Sequence, residues 1–496
     1  MSAPRQILDR LAALGITPTG VADDSRQVRP GDLFLAYPGD LADGRRYIAD
    51  AIARGAVAIL WQPGGDFAWN PAWTLGPAGA SVVAANLQID GLRALAGPLA
   101  HLVCGEPSAS LSLIAVTGTN GKTTVSQFIA GADARRCAVI GTLGAGFPGA
   151  LVETGFTTPE ATTLMRLLAD FRRAGAEACA LEASSIGIEE GRMNGARVDV
   201  AVFTNFTRDH LDYHGSMEAY AAAKEKLFAW PGLRTAIVNL DDALGRRLSG
   251  ETTASSVLGY GIGGASAVRA EQLVATPLGQ RFHLVLPDGG ANVDTALLGR
   301  YNISNLLAVA AVLHDAGVGV AEVARRLAGL TPPAGRMERL GGVGEPLVVV
   351  DYAHTPDALE NVLVTLRGVA VARGGRLYVV FGCGGDRDKG KRPQMGEVAA
   401  RLADQVLLTS DNPRSENPAR IIAEIKAGAA QAESEVDRTL AIRRAIAGAA
   451  ANDVVLLAGK GHEAYQENAG VRMPFSDLDQ ARTALDLRRQ GKREVA

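Results

Sequence analysis

The stretch LSLIAVTGTNGKTT at residues 111–124 constrains the fold more than any other part of this sequence. Its first residues are apolar and typical of a buried strand, and a loop of glycine and threonine follows them. A predicted helix begins at Lys122 and continues through Thr123 and Thr124. A strand, a glycine-rich loop and a helix N-terminus in this order predict a phosphate-binding loop, because free backbone N–H groups and the helix dipole attract phosphate oxygens. We therefore expect a nucleoside triphosphate as a ligand.

The predicted loop is shorter than the usual pattern. That pattern has a glycine five residues before Gly121, where this chain has Val116. In the shorter variant, Lys122 supplies a positive charge and the Thr123 hydroxyl is suited to Mg²⁺. The alternative is a turn with a solvated lysine, but a strand and a helix both lie where the motif requires them. The loop itself consists of Gly118, Thr119, Asn120 and Gly121.

The length of 496 residues predicts three domains, since a typical domain has about 150 residues. We place them at residues 1–105, 106–334 and 335–496. Short apolar strands alternate with helices in all three, so the predicted fold class is α/β. Near-continuous apolar strands in the central domain indicate a mostly parallel sheet that is buried on both faces.

Charge and composition exclude several classes of function. The net charge of -3 gives no general electrostatic reason to bind nucleic acid or an anionic membrane. No apolar run is long enough to span a bilayer, and the first residues form an amphipathic pattern that differs from a signal peptide. The 4 cysteines lack CxxC spacing, which is typical of thiols in a reducing cytosol. We expect a cytoplasmic monomer whose ligands are small molecules.

Three predicted strands of the central domain end in polar clusters, at residues 182–185, 205–210 and 239–242. Ligands of parallel sheets collect at the carboxyl ends of the strands, so these clusters should face the phosphate loop. Glu182 is suited to Mg²⁺, which prefers a few carboxylates together with phosphate oxygens and water. A glutamate that caps a helix or forms a salt bridge is an equally good interpretation at this point.

The segment that follows the second cluster is unusually polar and contains His210, His214 and Lys224. The two histidines lie four residues apart, but Gly215 ends any helix there, so the metal-binding helix pattern does not apply. A lone loop histidine is usually structural. Lys224 on the following helix would ordinarily lie on a solvated face.

Polar clusters also follow four predicted strands of the third domain. They begin near Asp351, Arg387, Asp411 and Gly459. Because all four lie at the same structural position, a second ligand surface that faces the phosphate loop across a cleft is a better interpretation than four unrelated surface patches.

Seven motifs occur in order over nearly the whole chain: TGTNGKTT, EASS, FTNFTRDHLDYHG, DYAHTPDAL, GGDRDKGKR, DNPR and GKGHE. Together they resemble the Mur ligases. The resemblance implies an N-terminal domain for a UDP-sugar, a central P-loop ATPase domain and a C-terminal Rossmann-like domain. It also implies that ATP phosphorylates the D-glutamate carboxylate of UDP-N-acetylmuramoyl-L-alanyl-D-glutamate, and that the amine of a diamino acid displaces the phosphate.

The resemblance also implies roles for individual residues. Beyond the phosphate loop, Asn302, Arg336 and Asp351 would contact ATP. One Mg²⁺ would be held by Thr123 and Glu182, and a second by His210 and a carbamylated Lys224. The residues expected at the UDP-dipeptide are Ser25, Thr157, Thr158, Ser184, Glu190 and Arg192. The chain departs from some members at Ile186, where they have His, and at Glu190, where they have Gln.

The DNPR motif resembles the members that add meso-diaminopimelate, whereas members that add L-lysine usually lack its arginine. The planar guanidinium of Arg414 is suited to the distal carboxylate, although without the resemblance a surface charge would be the better interpretation. The expected diaminopimelate site consists of Arg387, Asp411, Asn412, Pro413, Arg414, Gly459 and Glu463. Three alternatives remain open: an L-lysine-adding Mur ligase, a folylpolyglutamate synthetase-like ligase, and a nucleotide-switched binding protein that ligates no second substrate.

Overall fold

The structure is a computed structural model that describes residues 3–39, 42–75, 82–83, 85–276 and 279–491. Within those residues the larger sheets contain 4, 11 and 6 strands, and helices cover them. Most strand pairs in the middle of each sheet are parallel. The predicted α/β class with mostly parallel sheets is therefore confirmed. In the same residues, no helix is long and apolar enough to cross a membrane.

The N-terminal part of the chain forms the four-stranded sheet, in the order β1-β2-β3-β6. Apolar residues such as Leu33 and Leu35 point to one face and Phe34 to the other, as expected for side chains that alternate along a strand. The elements are α1 (Ala3–Ala13), β1 (Gly20–Ala22), β2 (Asp32–Ala36), α2 (Ile48–Ala53), β3 (Ala58–Trp61), β4 (Thr74–Leu75), β5 (Val82–Val83), β6 (Asn86–Gln88) and α3 (Leu92–Val103).

The central part forms the eleven-stranded sheet. Its elements are β7 (Ser112–Thr117), α4 (Lys122–Ala132), β8 (Cys137–Gly141), β9 (Gly144–Phe147), β10 (Ala150–Val152), α5 (Ala161–Arg173), β11 (Ala178–Glu182), α6 (Ser185–Glu189), β12 (Val200–Phe203), α7 (Leu211–His214), α8 (Met217–Phe228), β13 (Thr235–Asn239), α9 (Ala243–Glu251), β14 (Ser256–Gly261), β15 (Val268–Thr276), β16 (Gly279–Leu286), β17 (Gly289–Thr295), α10 (Arg300–Asp315) and α11 (Val320–Ala328).

The order of these strands places the phosphate loop at the centre of the sheet. From one edge it runs β10-β9-β8-β11-β7-β12-β13-β14-β15-β16-β17. Strand β7 lies between β11 and β12, so the loop after it is flanked by the ends of both neighbours. Helices α4 and α10 pack on one face and α5 and α8 on the other. Strands β15, β16 and β17 pair antiparallel with one another and extend one edge of the sheet.

The C-terminal part forms the six-stranded sheet, in the order β18-β19-β23-β20-β21-β22. Helices α12, α13 and α14 cover one face, and α15 and α16 cover the other. The elements are β18 (Glu338–Gly341), β19 (Leu347–Asp351), α12 (Pro356–Arg373), β20 (Leu377–Phe381), α13 (Lys391–Leu402), β21 (Gln405–Leu408), α14 (Pro418–Lys426), β22 (Glu433–Ser434), α15 (Arg438–Gly448), β23 (Val454–Ala458), β24 (Tyr465–Asn468), β25 (Val471–Pro474) and α16 (Asp477–Arg489).

Candidate active site

A cavity of about 1000 Å³ lies between the central and C-terminal sheets, at the carboxyl ends of strands from both. Many of the predicted site residues line it: Thr119, Asn120, Gly121, Lys122, Thr123, Thr124, Thr157, Thr158, Glu182, Ser184, Arg192, His210, Asn302, Arg336, Asp351, Arg387, Arg414 and Glu463. Others lie outside its lining, as far as the described residues define it: Ser25, Gly118, Glu190, Lys224, Asp411, Asn412, Pro413 and Gly459. The structure thus brings all the predicted ATP residues except Gly118, and part of the predicted amino-acid site, to one cavity.

The phosphate loop connects β7 to α4 through two glycines with positive φ, 147° at Gly118 and 87° at Gly121. A Cβ atom at Gly118 would lie 1.9 Å from the Thr204 hydroxyl oxygen, so only glycine fits there. The Nζ of Lys122 donates to the carbonyls of Gly118 and Thr119, each at 2.8 Å. Burial lowers the pKa of this amine, although the nearby Glu182 opposes the shift. The loop therefore holds its own cation at the point where the sequence predicts phosphate.

The neighbouring strand end at Thr204 and Asn205 fixes the loop, a role that the sequence reasoning did not assign. The Asn205 side chain accepts from Asn120 N at 2.9 Å and donates to Asn120 O at 3.0 Å. The Thr204 hydroxyl donates to the same carbonyl at 2.6 Å. The sequence does show that these residues follow an apolar strand. Because this strand, β12, lies beside β7, its end reaches the phosphate loop.

Glu182 is completely buried and forms the acidic centre of the cavity. Its Oε2 accepts from the Thr123 hydroxyl at 3.0 Å, and its two oxygens accept from the backbone N–H and hydroxyl of Thr142 at 3.0 and 3.1 Å. Burial raises the pKa of this carboxyl, while Lys122 and the hydrogen bonds lower it. A threonine hydroxyl and a carboxylate beside a phosphate loop are suitable donors for Mg²⁺. Sequence reasoning missed Thr142, which follows β8 at the strand end next to Glu182.

Lys224 is 1% exposed, so the interpretation as a solvated lysine is wrong. Its Nζ donates to Gly118 O at 3.0 Å and lies 4.3 Å from the centre of the Tyr220 ring. Burial, together with the positive charge of Lys122, holds the pKa of this amine well below its usual range. Lys224 is thus a buried amine that contacts the backbone of the phosphate loop at Gly118.

His210 and His354 both lie near the same carboxylate oxygen of Asp209. The His210 Nε2 is 3.5 Å and the His354 Nε2 is 3.8 Å from Asp209 Oδ2. Burial lowers the pKa of each imidazole to about 4. Burial opposes ionisation of Asp209, but the two histidines and Lys391 outweigh it and lower the pKa of this carboxyl. Among the described residues, no group of three or more His, Cys, Asp or Glu side chains is arranged to hold a metal ion by itself.

The residues predicted to contact ATP from outside the loop are anchored by buried contacts. The Arg336 Nη2 donates to the Thr123 hydroxyl at 3.3 Å, and its guanidinium lies 4.3 Å from the centre of the Tyr352 ring. Asp351 accepts from two backbone N–H groups, and burial raises the pKa of its carboxyl. Asn302 accepts from the Asn305 side chain at 3.2 Å near the start of α10.

The residues predicted to hold the UDP-dipeptide divide into two groups. In the cavity, the Thr158 hydroxyl donates to Glu182 O at 2.7 Å, and Arg192 Nη1 donates to Thr158 O at 3.0 Å. The Arg192 Nε also donates to Glu190 Oε2 at 2.8 Å, so this arginine holds the residue at which the chain departs from some family members. Ser25 is buried and begins a 3₁₀ turn in the N-terminal domain.

The predicted diaminopimelate residues surround the ends of β21 and β23. Asn412 donates to Glu463 Oε2 at 2.7 Å, and the fully buried Lys460 donates to both residues at 3.1 Å. Arg414 adopts a positive φ of 52°, and its Nη1 donates to Gly385 O at 2.7 Å. Burial, and next the nearby Asp411 charge, raise the pKa of Glu463. Arg387 is exposed on the loop after β20.

The chain is 52% identical over 469 residues to the UDP-N-acetylmuramoyl-L-alanyl-D-glutamate--2,6-diaminopimelate ligase of Pseudomonas aeruginosa, a match that covers 93% of this chain and 94% of the relative. The chain belongs to the Mur ligase family. A ligase of the same name from Chromobacterium violaceum is 49% identical and covers 96% of each chain. The family resemblance inferred from the motifs is therefore confirmed.

Family profiles match three successive parts of this Mur ligase. Residues 17–95 match the Mur ligase family catalytic domain, residues 116–313 the Mur ligase middle domain, and residues 335–461 the Mur ligase glutamate ligase domain.

Solved structures have the same fold. A structure described as UDP-N-acetylmuramoyl-L-alanyl-D-glutamate--2,6-diaminopimelate ligase is 37% identical, with a TM-score of 0.64 and 95% of each chain covered. The MurF ligase of Thermotoga maritima in complex with ADP is 19% identical, with a TM-score of 0.66 and 96% of this chain covered. The folylpolyglutamate synthase of Mycobacterium tuberculosis covers only 74% of this chain, with a TM-score of 0.60 and 20% identity. The last two likenesses concern the fold alone.

Proposed function

We propose that this Mur ligase uses ATP to join meso-diaminopimelate to the D-glutamate carboxylate of UDP-N-acetylmuramoyl-L-alanyl-D-glutamate. The observation that carries the proposal is the single cavity in which the phosphate loop faces Arg414 and Glu463. The names of the full-length relatives at about 50% identity support the choice of substrates. This reaction belongs to peptidoglycan precursor synthesis.

The chemistry needs two steps, because a free carboxylate resists attack by an amine. The carboxylate oxygen attacks the γ-phosphorus of ATP, and the bond from that phosphorus to the bridging β-phosphate oxygen breaks, so an acyl phosphate forms and ADP is released. The amine of the diamino acid then attacks the acyl carbon, loses a proton, and expels inorganic phosphate. The protein contributes chiefly by positioning the reactants and by stabilising charge.

Lys122 neutralises charge on the transferring phosphoryl group, and the loop from Gly118 to Thr124 holds the phosphates through its backbone N–H groups. Asn302, Arg336 and Asp351 hold the rest of the nucleotide. Support comes from the contact of Arg336 with Thr123 at 3.3 Å, which joins the C-terminal side of the cavity to the phosphate loop.

Thr123 and Glu182 would hold one Mg²⁺, and His210 with a carbamylated Lys224 would hold a second; these ions would neutralise charge on phosphate oxygens. The low pKa of the buried Lys224 supports carbamylation, because the neutral amine is the form that reacts with CO₂. The product is an anion with carboxylate-like oxygens, which are ligands that Mg²⁺ favours. The Nζ also lies next to the phosphate loop, at 3.0 Å from Gly118 O.

Thr157, Thr158, Ser184 and Arg192 hold the peptide end of the UDP-dipeptide, and Ser25 holds part of its nucleotide end. Glu190 acts through Arg192 in this proposal, since its carboxylate is already paired with that guanidinium. At the other side of the cavity, Arg414 and Arg387 bind carboxylates of meso-diaminopimelate. The other residues of the proposed diaminopimelate site are Asp411, Asn412 and Pro413, together with Gly459 and Glu463, which receive the distal ammonium.

The domain division at residues 1–105, 106–334 and 335–496 is part of the proposal. Each range contains one of the larger sheets, which supports it. We also propose that the protein works as a monomer in the cytoplasm, because its proposed substrates are small molecules. Sedimentation of the purified protein tests the monomer.

Product mass tests the reaction. The protein is incubated with ATP, Mg²⁺ and UDP-N-acetylmuramoyl-L-alanyl-D-glutamate, and with meso-diaminopimelate or L-lysine in separate reactions. We expect the diaminopimelate adduct, with one ADP and one phosphate released for each product. Comparable yield with L-lysine would overturn the amino-acid assignment, whereas glutamate addition to a folate would overturn the substrate assignment. Phosphate release that needs neither co-substrate would favour a nucleotide-switched binding protein.

A further inference from the structure

The two loops predicted to bind the diamino acid follow strands that are not neighbours. The DNPR loop, residues 411–414, follows β21, and the GKGHE loop, residues 459–463, follows β23. Strand β20 lies between them in the sheet. Strand β20 pairs with both β21 and β23, so the sheet spaces the two strands, whereas the loops beyond the strand ends need another contact to join them.

Arg438 makes that contact. It begins α15, it is 1% exposed, and its side chain reaches both strand ends. The Nη1 donates to Ser410 O at 3.1 Å, one residue before the DNPR loop, and the Nη2 donates to Ala458 O at 2.9 Å, one residue before the GKGHE loop. A single guanidinium thus bridges the starting points of the two loops.

Asp477 holds the guanidinium in place from the opposite side. The Arg438 Nε and Nη2 donate to the two carboxylate oxygens of Asp477 at 2.7 and 2.6 Å. Both side chains of the pair are fully buried. The pair leaves Nη1 and Nη2 pointing at the two carbonyls, and the planar guanidinium makes the geometry rigid.

Contacts beyond the bridge extend this arrangement into the loops. Lys460, which is fully buried, donates to Asn412 Oδ1 and Glu463 Oε2 at 3.1 Å and so ties one loop to the other. Gln466 donates to Asp411 O at 2.7 Å. These contacts need the loop starts at the right separation, which is what the Arg438 bridge supplies.

We propose that Arg438, anchored by Asp477, is a positioning residue that sets the spacing of the DNPR and GKGHE loops and thereby the selectivity for the diamino acid. The inference rests on the proposed function and names a residue outside the lining of the cavity, as far as the described residues define it. A buried ion pair by itself is weak support for a stability role, because well-packed apolar side chains often replace such pairs without loss. An apolar side chain at position 438 would not bridge two carbonyls, whereas the arginine does.

The test compares two variants of the bridge with a matched control. Arg438→Lys keeps the charge but loses the fork that spans the two carbonyls, and Asp477→Asn keeps the fork but weakens its anchor. The control is Arg373→Lys, since Arg373 bridges Gly342 O and Ala451 O, each at 2.8 Å, near the amino end of β23 and away from the strand ends that carry the two loops. For each full-length protein we measure the KM values for meso-diaminopimelate and ATP, the ratio of kcat/KM for meso-diaminopimelate to that for L-lysine, and Tm.

We expect Arg438→Lys to raise the KM for meso-diaminopimelate about tenfold, the effect of about one hydrogen bond, with the KM for ATP within about twofold of wild type. The selectivity ratio should fall by a similar factor, and Asp477→Asn should shift both in the same direction by less. Arg373→Lys should lower Tm without changing either quantity.

An unchanged selectivity ratio in folded Arg438→Lys would overturn the inference, as would an equal change in Arg373→Lys. If Arg438→Lys does not fold, Asp477→Asn is judged by the same criterion. Failure of the proposed function is distinguishable, because wild type itself would then form no diaminopimelate adduct.

Discussion

The two boundaries of the central domain are built in opposite ways. At the N-terminal boundary, one apolar core is shared: Leu11 and Leu35 of the N-terminal domain belong to the same cluster as Leu164 and Leu168 of α5. Arg166 on that helix adds a buried link, because its Nη2 donates to Asp32 Oδ2 and Val21 O, both at 2.8 Å. Buried apolar side chains from both domains therefore pack together at this boundary, as they do inside a single domain.

The C-terminal boundary depends mainly on polar contacts around the cavity. Asn120 donates to Asp357 at 3.1 Å, and the Arg208 Nε lies 3.2 Å from Asp388 Oδ2. The sheet of this domain has its own apolar clusters, and Leu298 and Tyr301 are the central-domain side chains that pack against one of them among the described residues.

The cavity with the predicted site residues thus lies at the boundary that has little apolar packing. Substrates and water need a polar space with room to enter, whereas a shared core excludes both. Changes at the cavity should therefore alter turnover more than unfolding, and changes at the N-terminal boundary should do the reverse. The following predictions test that contrast, from the largest expected effect to the smallest.

Lys122→Ala should abolish measurable turnover, a loss on the order of a thousandfold, because the transferring phosphoryl group loses its fixed cation. The Nζ bonds only to loop carbonyls among its described hydrogen-bond partners, so the unfolding free energy should change little. Steady-state ligation rates and urea denaturation measure the two quantities. Near-normal ligation by Lys122→Ala would contradict the assignment of this segment as the phosphate loop.

Lys224→Ala should be nearly inactive and should regain part of its activity with added formate or acetate, which replace the carbamate. Mass spectrometry at neutral pH with bicarbonate should also find one added CO₂ on the wild-type protein. Lys226→Ala is the matched control on the same helix, since Lys226 is half exposed and pairs with Glu189 at 2.6 Å. A fully active Lys224→Ala would contradict the carbamate.

Arg166→Met should lower the unfolding free energy by about 3 kcal/mol, because it leaves the buried Asp32 carboxylate without its partner. The side chains of this pair are 14% and 4% exposed. At temperatures where the variant stays folded, turnover should remain close to wild type. Arg173→Met on the same helix is the control, and its side chain is 70% exposed. A loss of turnover without loss of stability would reverse the contrast between the boundaries.

Acid should weaken the C-terminal boundary through His354. Burial lowers the pKa of this imidazole from 6.5 to about 4. Between those values the unfolded chain binds more protons than the folded protein, so the free energy of unfolding falls as the pH falls. His354→Gln should make this dependence between pH 6.5 and 4 shallower, as measured by urea denaturation. The effect should be modest, because the side chain is 38% exposed to the cavity. If the free energy of unfolding depends on pH equally steeply in His354→Gln, His354 does not cause the loss of stability in acid.

The smallest effect should come from Arg208 and Asp388. A double-mutant cycle with Arg208→Gln and Asp388→Asn should give a coupling free energy below about 1 kcal/mol, because the arginine side chain is 41% exposed. The coupling should shrink further in high salt. A coupling as large as the Arg166 effect would show that polar contacts hold both boundaries equally.

Much of the candidate site was predictable because its signals are local. The phosphate loop needs glycines and a lysine at fixed spacing, and Glu182 was found because it ends an apolar strand. The family and the fold class are confirmed, while the ligand roles of the residues stay predictions. Thr142 was missed because a threonine after a strand has no distinctive signal until β8 is known to lie beside β11.

The sequence by itself determined the α/β class, the phosphate loop and the polar strand ends, since periodicity and motif spacing are encoded within a few consecutive residues. Only the tertiary structure decided that Lys224 is buried against Gly118 and that Arg438 joins two strand ends. It also decided that one domain boundary is an apolar core and the other a polar cavity. Such contacts join residues far apart in the chain, so their partners, and the burial that shifts a pKa, exist only after the sheets have packed.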